Sequence, residues 1–485
     1  MNQETLDPLD WNSLQATAHT MVDEMIAHLK GIREQPVWQP TTETVRNSFS
    51  EPMPLEGTGV AQLYSEFKQN ILPYNIGNIH PRFWGWVMGT GTATGMLADM
   101  LASGMNPCPS FGDHSDVYVE QQVINWAKQM FNLDSNASGL LTTGGSTANI
   151  IALTIGRNHH QKQVRKKGLR QLGAQLTVYA SAETHNCLVK TVEILGIGSD
   201  FYRKIPVDDD FKIRVDLLQE AIEKDKQDGL LPFCIVGNAG TVNTGSIDDL
   251  AALAAIAKQE GMWFHVDGAF GILPKILPQF EEALKPIELA DSVAFDFHKW
   301  FYVNYDVGCF IIKDSQAHAE AFKTDASYLV AHESGIAAGG HNPHQMGFEL
   351  SRGFRSLKVW MILKEHGLLK YRRMIEQNLA QAQYLATLIE NQPLLELAAP
   401  VPLNVVCFRY ADDSLSLSEL NRLNKAILMQ LQVSGVAAPS FTVLRGKYVI
   451  RVAITNHRSR FEDFDVLVDT VVSLGKSLAV KTVSS

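Results

Sequence analysis

A lysine after an apolar run, an acid closing another, a glycine-rich turn and a histidine following a third run are the residues with chemistry to offer. Lys299 stands at the end of "DSVAFDFHK", Asp267 ends "WFHVD" and Thr241 follows "FCIVGNAG". Gly144 and Gly145 precede Ser146 in "LTTGGSTAN", and His185 comes after "QLTVYAS". Singly, each has an ordinary explanation. A strand-end lysine is usually solvated, strand-end acids and threonines serve turns, a Gly-Gly-Ser turn can simply cap a helix, and a lone histidine at a helix start is as readily a cap as a catalyst.

As a set they point further. Ligands of open α/β sheets bind at the carboxyl ends of the strands, and the stretch between Asp267 and Lys299 holds one helical crossover, the usual link between adjacent parallel strands. A glycine turn feeding a helix aims backbone N–H groups and the positive end of the dipole at an anion. The turn is neither G-x-G-x-x-G nor a P-loop, so a nucleotide is not its natural ligand. One cofactor uses every part. Pyridoxal 5′-phosphate (PLP) needs a lysine for covalent attachment, an acid to keep its pyridine nitrogen protonated, and a helix N-terminus for its phosphate.

The elements that must position these residues are legible too. Leu14, Ala18, Met21, Met25 and Leu29 recur at helical spacing between Asp10 and Arg33. From about residue 120 to 315, β-rich runs such as "PFCIVGNAG", "MWFHVDGAF", "DSVAFDF" and "VGCFIIKD" alternate with helical ones. Among the latter, "SIDDLAALAAIAKQEG" has Asp248 or Asp249 as its cap and Gly261 as its stop. That alternation predicts an α/β domain with a mostly parallel central sheet. "SGIAAGGHNPHQMG" reads as a mobile loop. The expected organisation is an N-terminal helical segment over 1–85, a large α/β domain over 86–375 and a small C-terminal α+β domain over 376–485.

The 485 residues, 45% hydrophobic and 19% charged, describe a soluble globular protein large enough for two domains or more. A formal charge of −10 argues against nucleic acid or an anionic membrane as partner. No apolar run approaches the roughly 20 residues that span a bilayer, and "MNQETLDPLDW" has no signal-peptide pattern. The five cysteines, Cys108, Cys187, Cys234, Cys309 and Cys407, include no C-x-x-C pair. Reduced thiols, a cytoplasmic location and no metal site are expected.

The ordered motifs resemble the group II PLP-dependent amino-acid decarboxylases, a fold-type I family. They run from "HPRFWGWVMGTGTATGMLADML" through "TTGGSTAN", "HNCLVKTVEILGIG", "GNAGTVNTGSIDD", "HVDGAFG", "ADSVAFDFHKW" and "FRSLKVW" to "RVAITNHR". The resemblance implies that Lys299 carries PLP, that Asp267 pairs with the pyridine nitrogen, and that His185 and Ala269 pack on the two faces of the ring. It implies Thr241 near the 3′-oxygen, and Gly145, Ser146 and His298 at the phosphate. It makes Tyr328, in "SYLVAH", the proton donor that favours amine over aldehyde as product. It further implies an intertwined homodimer with shared active sites and an amino acid as substrate. An aromatic one is favoured by Phe83, Trp84 and Trp86, although ordinary core packing would explain those rings equally well. Glutamate, aspartate, histidine or diaminobutyrate, or an aldehyde synthase or aminotransferase activity, are the alternatives. "CPSFGDHSDVY" departs from the apolar run of the aromatic decarboxylases, so Asp113 and His114 either make the pocket more polar or cap the next helix.

Overall fold

The computed structural model describes residues 4–171, 173–324 and 332–483. Tyr328 lies outside them. Among the described residues, twelve strands follow in chain order: β1 (Phe83–Trp84), β2 (Ser138–Thr142), β3 (Leu176–Ser181), β4 (Tyr202–Ile205), β5 (Leu231–Asn238), β6 (Trp263–Asp267), β7 (Ser292–Asp296), β8 (Gly308–Ile312), β9 (Leu395–Leu397), β10 (Val405–Tyr410), β11 (Ala438–Leu444) and β12 (Lys447–Ala453). Seven of them form the large sheet in the order β2-β8-β7-β6-β5-β3-β4.

The run from β7 to β4 across that sheet is parallel, and every residue of β3, β6, β7 and β8 is buried. Strands covered on both faces can be continuously apolar, which is why these read as unbroken hydrophobic runs rather than alternating ones. β8 is the exception, antiparallel to both β7 and β2. The link 297–307 contains no crossover helix, so the chain can only turn back on itself. The consequence matters for the site: the carboxyl ends of β2, β3, β5, β6 and β7 all open onto one edge.

Helices cover both faces of the sheet. Gly145–His160 packs on β7 and β8, and Leu250–Glu260 packs on β5 and β6. The latter is capped by Asp249, which accepts from Ala252 N, and stops at Gly261 with φ at 65°. That left-handed turn suits a residue without a Cβ.

The second sheet runs β1-β11-β12-β10-β9. Its edge strand comes from the N-terminal segment, with Phe83 and Trp84 parallel to Ala438 and Pro439. The segment expected to be helical therefore also contributes a strand. The helical stretch Arg355–Glu390 runs through the expected boundary at 375, and its break falls instead at Gly367, with φ at 66°. Among the described residues no helix is long and apolar enough to cross a membrane.

Three buried histidines make the fold acid-sensitive. His80 and His318 are held down to about 4, and His265 to about 3; burial is the largest cause, with the Arg82 charge adding to it at His80. Each stays neutral in the native state while the unfolded chain protonates near its ordinary value of about 6.5. Below that pH the unfolded state binds more protons, so stability falls with falling pH until the native values are reached. At roughly 1 kcal/mol per pH unit for each histidine, the three together remove about 3–4 kcal/mol between pH 6 and 5. Thermal unfolding followed at pH 7, 6 and 5 is expected to show a falling midpoint; a flat profile contradicts the account.

Candidate functional site

The open edge of the large sheet carries a cavity of about 480 Å³. Register sets its floor. Asn238 of β5 stands beside Asp267 of β6, and Asp267 beside Ala294 of β7, two residues before Asp296. Gly308 of β8 lies between Asp296 on one side and Thr142 on the other. The turn after β2 then lifts Gly144, Gly145 and Ser146 to the rim and starts the helix Gly145–His160.

Of the residues singled out from the sequence, Gly145, Ser146, His185, Asp267, Ala269, His298, Lys299 and Trp86 line this cavity. Two do not. Thr241 is 1% exposed, and its hydroxyl is occupied in a turn, accepting from Ser246 N at 3.1 Å and bonded to Thr244 at 3.0 Å. Phe83 packs behind the wall with Val37, Ala438 and Met88, as strand pairing on β1 dictates. Asp113 and His114 are also absent from the lining. Asp113 accepts from the Tyr118 hydroxyl at 2.6 Å, and His114 sits at the N-cap of the next helix, bonded to Asp116 and the Phe111 carbonyl. The segment read as a loop lies against them, with Asp113 N bonded to the Ile336 carbonyl and His344 N to that of Ser110.

Asp267 is held by a directed set of hydrogen bonds. Its Oδ1 accepts from Ala269 N at 3.1 Å and its Oδ2 from Asn149 Nδ2 at 3.2 Å. With Asn149 oriented that way, its Oδ1 accepts from His265 Nε2 at 2.6 Å, so His265 Nδ1 accepts from the Ser292 hydroxyl at 2.8 Å. Ser292 in turn accepts from the Trp263 indole at 2.7 Å. Every donor in the chain points toward the carboxylate, which keeps it in place as an acceptor. Burial raises its pKa, and the charges of Lys299 and His185 oppose that rise.

Lys299 Nζ lies 2.7 Å from Asp296 Oδ2. Burial alone would lower the lysine, but the charge and hydrogen bond of Asp296, with Asp267 behind it, hold it above the ordinary value. His298 Nδ1 accepts from Val307 N at 3.1 Å, leaving Nε2–H as a donor, and burial keeps the ring's pKa below the usual range. His185 Nδ1 likewise accepts from Cys187 N at 3.2 Å. The Cys187 thiol is pushed up to about 12, chiefly by burial, so it is not a thiolate near neutral pH.

The cavity fits PLP. Gly144 and Gly145 leave the helix N-terminus bare, and a Cβ at Gly145 would meet Asp296 Oδ2 at 2.8 Å. Bare backbone N–H groups at a helix N-terminus, a held carboxylate and a lysine face one space. Asn149, Asp296, Asn238 and Arg451 are among the cavity residues that the sequence alone does not single out. Asn149 had a signal, being a polar residue inside an otherwise apolar buried stretch of helix. Arg451 is 3% exposed and donates to the backbone of Trp86, Val242 and Asn243; burial brings it down to about 10.

Comparisons with known proteins show the family. A family model described as the pyridoxal-dependent decarboxylase conserved domain matches residues 43–411. An aromatic-L-amino-acid decarboxylase of Bacillus atrophaeus is 31% identical over 477 residues, covering 97% of each chain. A phenylacetaldehyde synthase of Arabidopsis thaliana is 29% identical, covering 93% of each. In fold, the chain is like Oryza sativa TDC solved with PLP and tryptamine, with a TM-score of 0.91 at 23% identity over 98% of this chain and 100% of that one. With the cofactor's parts assembled on one sheet edge and the family model spanning most of the sequence, the chain belongs to the pyridoxal-dependent decarboxylases, carboxy-lyases that work through PLP.

Proposed function

We propose that the protein decarboxylates an aromatic L-amino acid to its amine and CO2. The observation that carries the choice of substrate is Trp86, 58% exposed with φ at 51°, which lines the cavity together with Phe441, itself 56% exposed. A planar apolar wall facing a polar floor suits a ring on an amino-acid backbone. Arg451 on the same wall favours the second reading, an acidic substrate whose side-chain carboxylate it would meet.

In this reading Gly145, Ser146 and His298 hold the phosphate, Asp267 pairs with the pyridine nitrogen, His185 and Ala269 pack on the ring faces, and Lys299 is the point of attachment. Thr241, with its hydroxyl engaged in its turn, acts only through the backbone around it. Bound there, PLP supplies the sink for the electron pair left when the substrate carboxylate departs as CO2. The protein's own work would be to keep Asp267 ionised, to bind and orient the substrate, and to return a proton to the substrate carbon. Tyr328 is the donor for that proton, a role resting on its sequence context. Tyr328→Phe is expected to lower amine output about 10²–10⁴-fold, with aldehyde appearing in its place; unchanged amine output removes Tyr328 from the role.

Two further points belong to the same reading. Met100, Leu101 and Met105 expose apolar surface on the helix Ala93–Met105, which supports a homodimer with shared sites. All five cysteines are free, which supports a cytoplasmic setting.

Purified protein with PLP, given a panel of aromatic, acidic, histidine and diamino L-amino acids, tests the proposal by measuring amine, aldehyde and CO2. Amine with matching CO2 from an aromatic substrate supports it. Amine from glutamate or aspartate alone transfers the reading to Arg451. Gly145→Ala is expected to weaken PLP binding about tenfold or more and to cost roughly 1–3 kcal/mol of stability by crowding Asp296; unaltered affinity in a cofactor titration contradicts the phosphate assignment.

A further inference from the structure

Asp296 is not a residue that a phosphate site calls for. It is 2% exposed, it lies beneath the turn that would seat the cofactor's phosphate, and its Oδ1 has no hydrogen-bond partner among the described residues. Two glycines make the room it occupies. A Cβ at Gly145 would meet its Oδ2 at 2.8 Å, and a Cβ at Gly308 would meet its Oδ1 at 2.8 Å. A buried carboxylate is retained only against a cation or strong donors. His298 Nε2 is 3.8 Å away, beyond hydrogen-bond distance, and the one close partner among the described residues is Lys299 Nζ at 2.7 Å.

We propose that Asp296 is a positioning residue, the resting partner of Lys299, which draws the lysine to the floor of the cradle whenever the lysine is not bonded to the cofactor. This rests on Lys299 being the attachment point. The lysine then has two stations. One is its bond to the cofactor. The other is the Asp296 carboxylate, taken before loading and during the part of turnover in which the substrate amine has replaced it. At the second station Lys299 is an ammonium and cannot compete with the substrate amine. Re-forming its bond, the ammonium nitrogen of Lys299 sheds as many protons as the nitrogen of the departing amine gains on leaving as an ammonium, so the exchange balances within the site. The titratable groups facing Lys299 are Asp296 from β7, Asp267 from β6, His185 and Cys187 after β3, and His298 and Tyr305 from the link between β7 and β8.

The test is competitive acetylation of the full-length protein across pH, read at the Lys299 peptide by mass spectrometry, with and without PLP. In cofactor-free protein the half-labelling pH of Lys299 is expected to lie above that of a lysine in a model peptide, and to fall by roughly one to three units in Asp296→Asn, the loss of a close opposite charge. Lys275, buried and 2.7 Å from Glu288, serves as the fold control and should not change. An unshifted Lys299 with Lys275 intact overturns the proposal. Should the variant fail to fold, the unsubstituted protein decides: a half-labelling pH at or below the model-peptide value overturns it equally. Loading with PLP separates the two readings, because labelling of Lys299 that persists in the loaded protein sinks the attachment role itself.

Discussion

Lys299→Ala is expected to lower amine and CO2 release by a factor of about 10³ or more, and to remove the visible absorbance that PLP gains on attachment. The size follows from the kind of group removed. A covalent attachment point splits one difficult step into easier ones, and residues that act as a unit with it lose their effect once it is gone. Lys299 is the one lysine lining the cavity among the described residues. No neighbouring amine can stand in for it, and the phosphate cradle and Asp267 would still bind free cofactor weakly. The fold should tolerate the change only in part. Removing the lysine leaves Asp296 buried without its cation, and breaking a buried pair from one side is the costly direction. Since Lys299 is 23% exposed to the cavity, solvent relieves part of that cost. Turnover and spectrum, measured on protein shown to be folded, check the expectation. Activity within tenfold of the unsubstituted enzyme would falsify the assignment of Lys299.

The strands that build the site were legible because of where they lie. β3, β5, β6, β7 and β8 are buried on both faces, so each is a short apolar run that stands out from the helices around it. The acid and the lysine could be placed because strand ends of a parallel sheet share an edge. Two things were not legible. The antiparallel direction of β8 depends on the absence of a crossover in 297–307, which composition alone does not reveal. Asp296 was invisible beside His298 and Lys299, because a polar residue at a strand end reads as a turn until a distance shows what it faces. Phe83 and Trp86 illustrate the same limit. Three residues apart in sequence, one packs behind the wall and the other stands on it, and only the pairing of β1 with β11 decides which.

Asp267→Asn should lower kcat about 10²–10³-fold or more, the scale of removing one preorganised electrostatic group from an active site. The carboxylate's two oxygens accept from two fixed donors, Ala269 N and Asn149 Nδ2. An asparagine at 267 has one oxygen and one NH2, so a donor must face a donor. Two arrangements relieve this, and both cost energy. If the new NH2 faces Ala269 N, a backbone N–H in a half-buried wall loses its partner. If it faces Asn149, that side chain must flip, which turns its own NH2 toward His265 Nε2–H. His265 must then change tautomer and donate to Ser292, whose hydroxyl proton loses its acceptor. The relay from Trp263 to Asp267 thus favours the carboxylate over its neutral isostere even before cofactor binds. Catalysis loses more than packing does, because a neutral amide cannot keep the pyridine nitrogen protonated and the electron sink weakens. Lys299 also loses one of the charges that hold its pKa up, so its value should fall. The expected pattern is therefore a large fall in kcat, a modest change in substrate KM, and a shifted pH profile of the cofactor's absorbance. A variant that keeps kcat within threefold would show that Asp267 only buttresses the sheet edge.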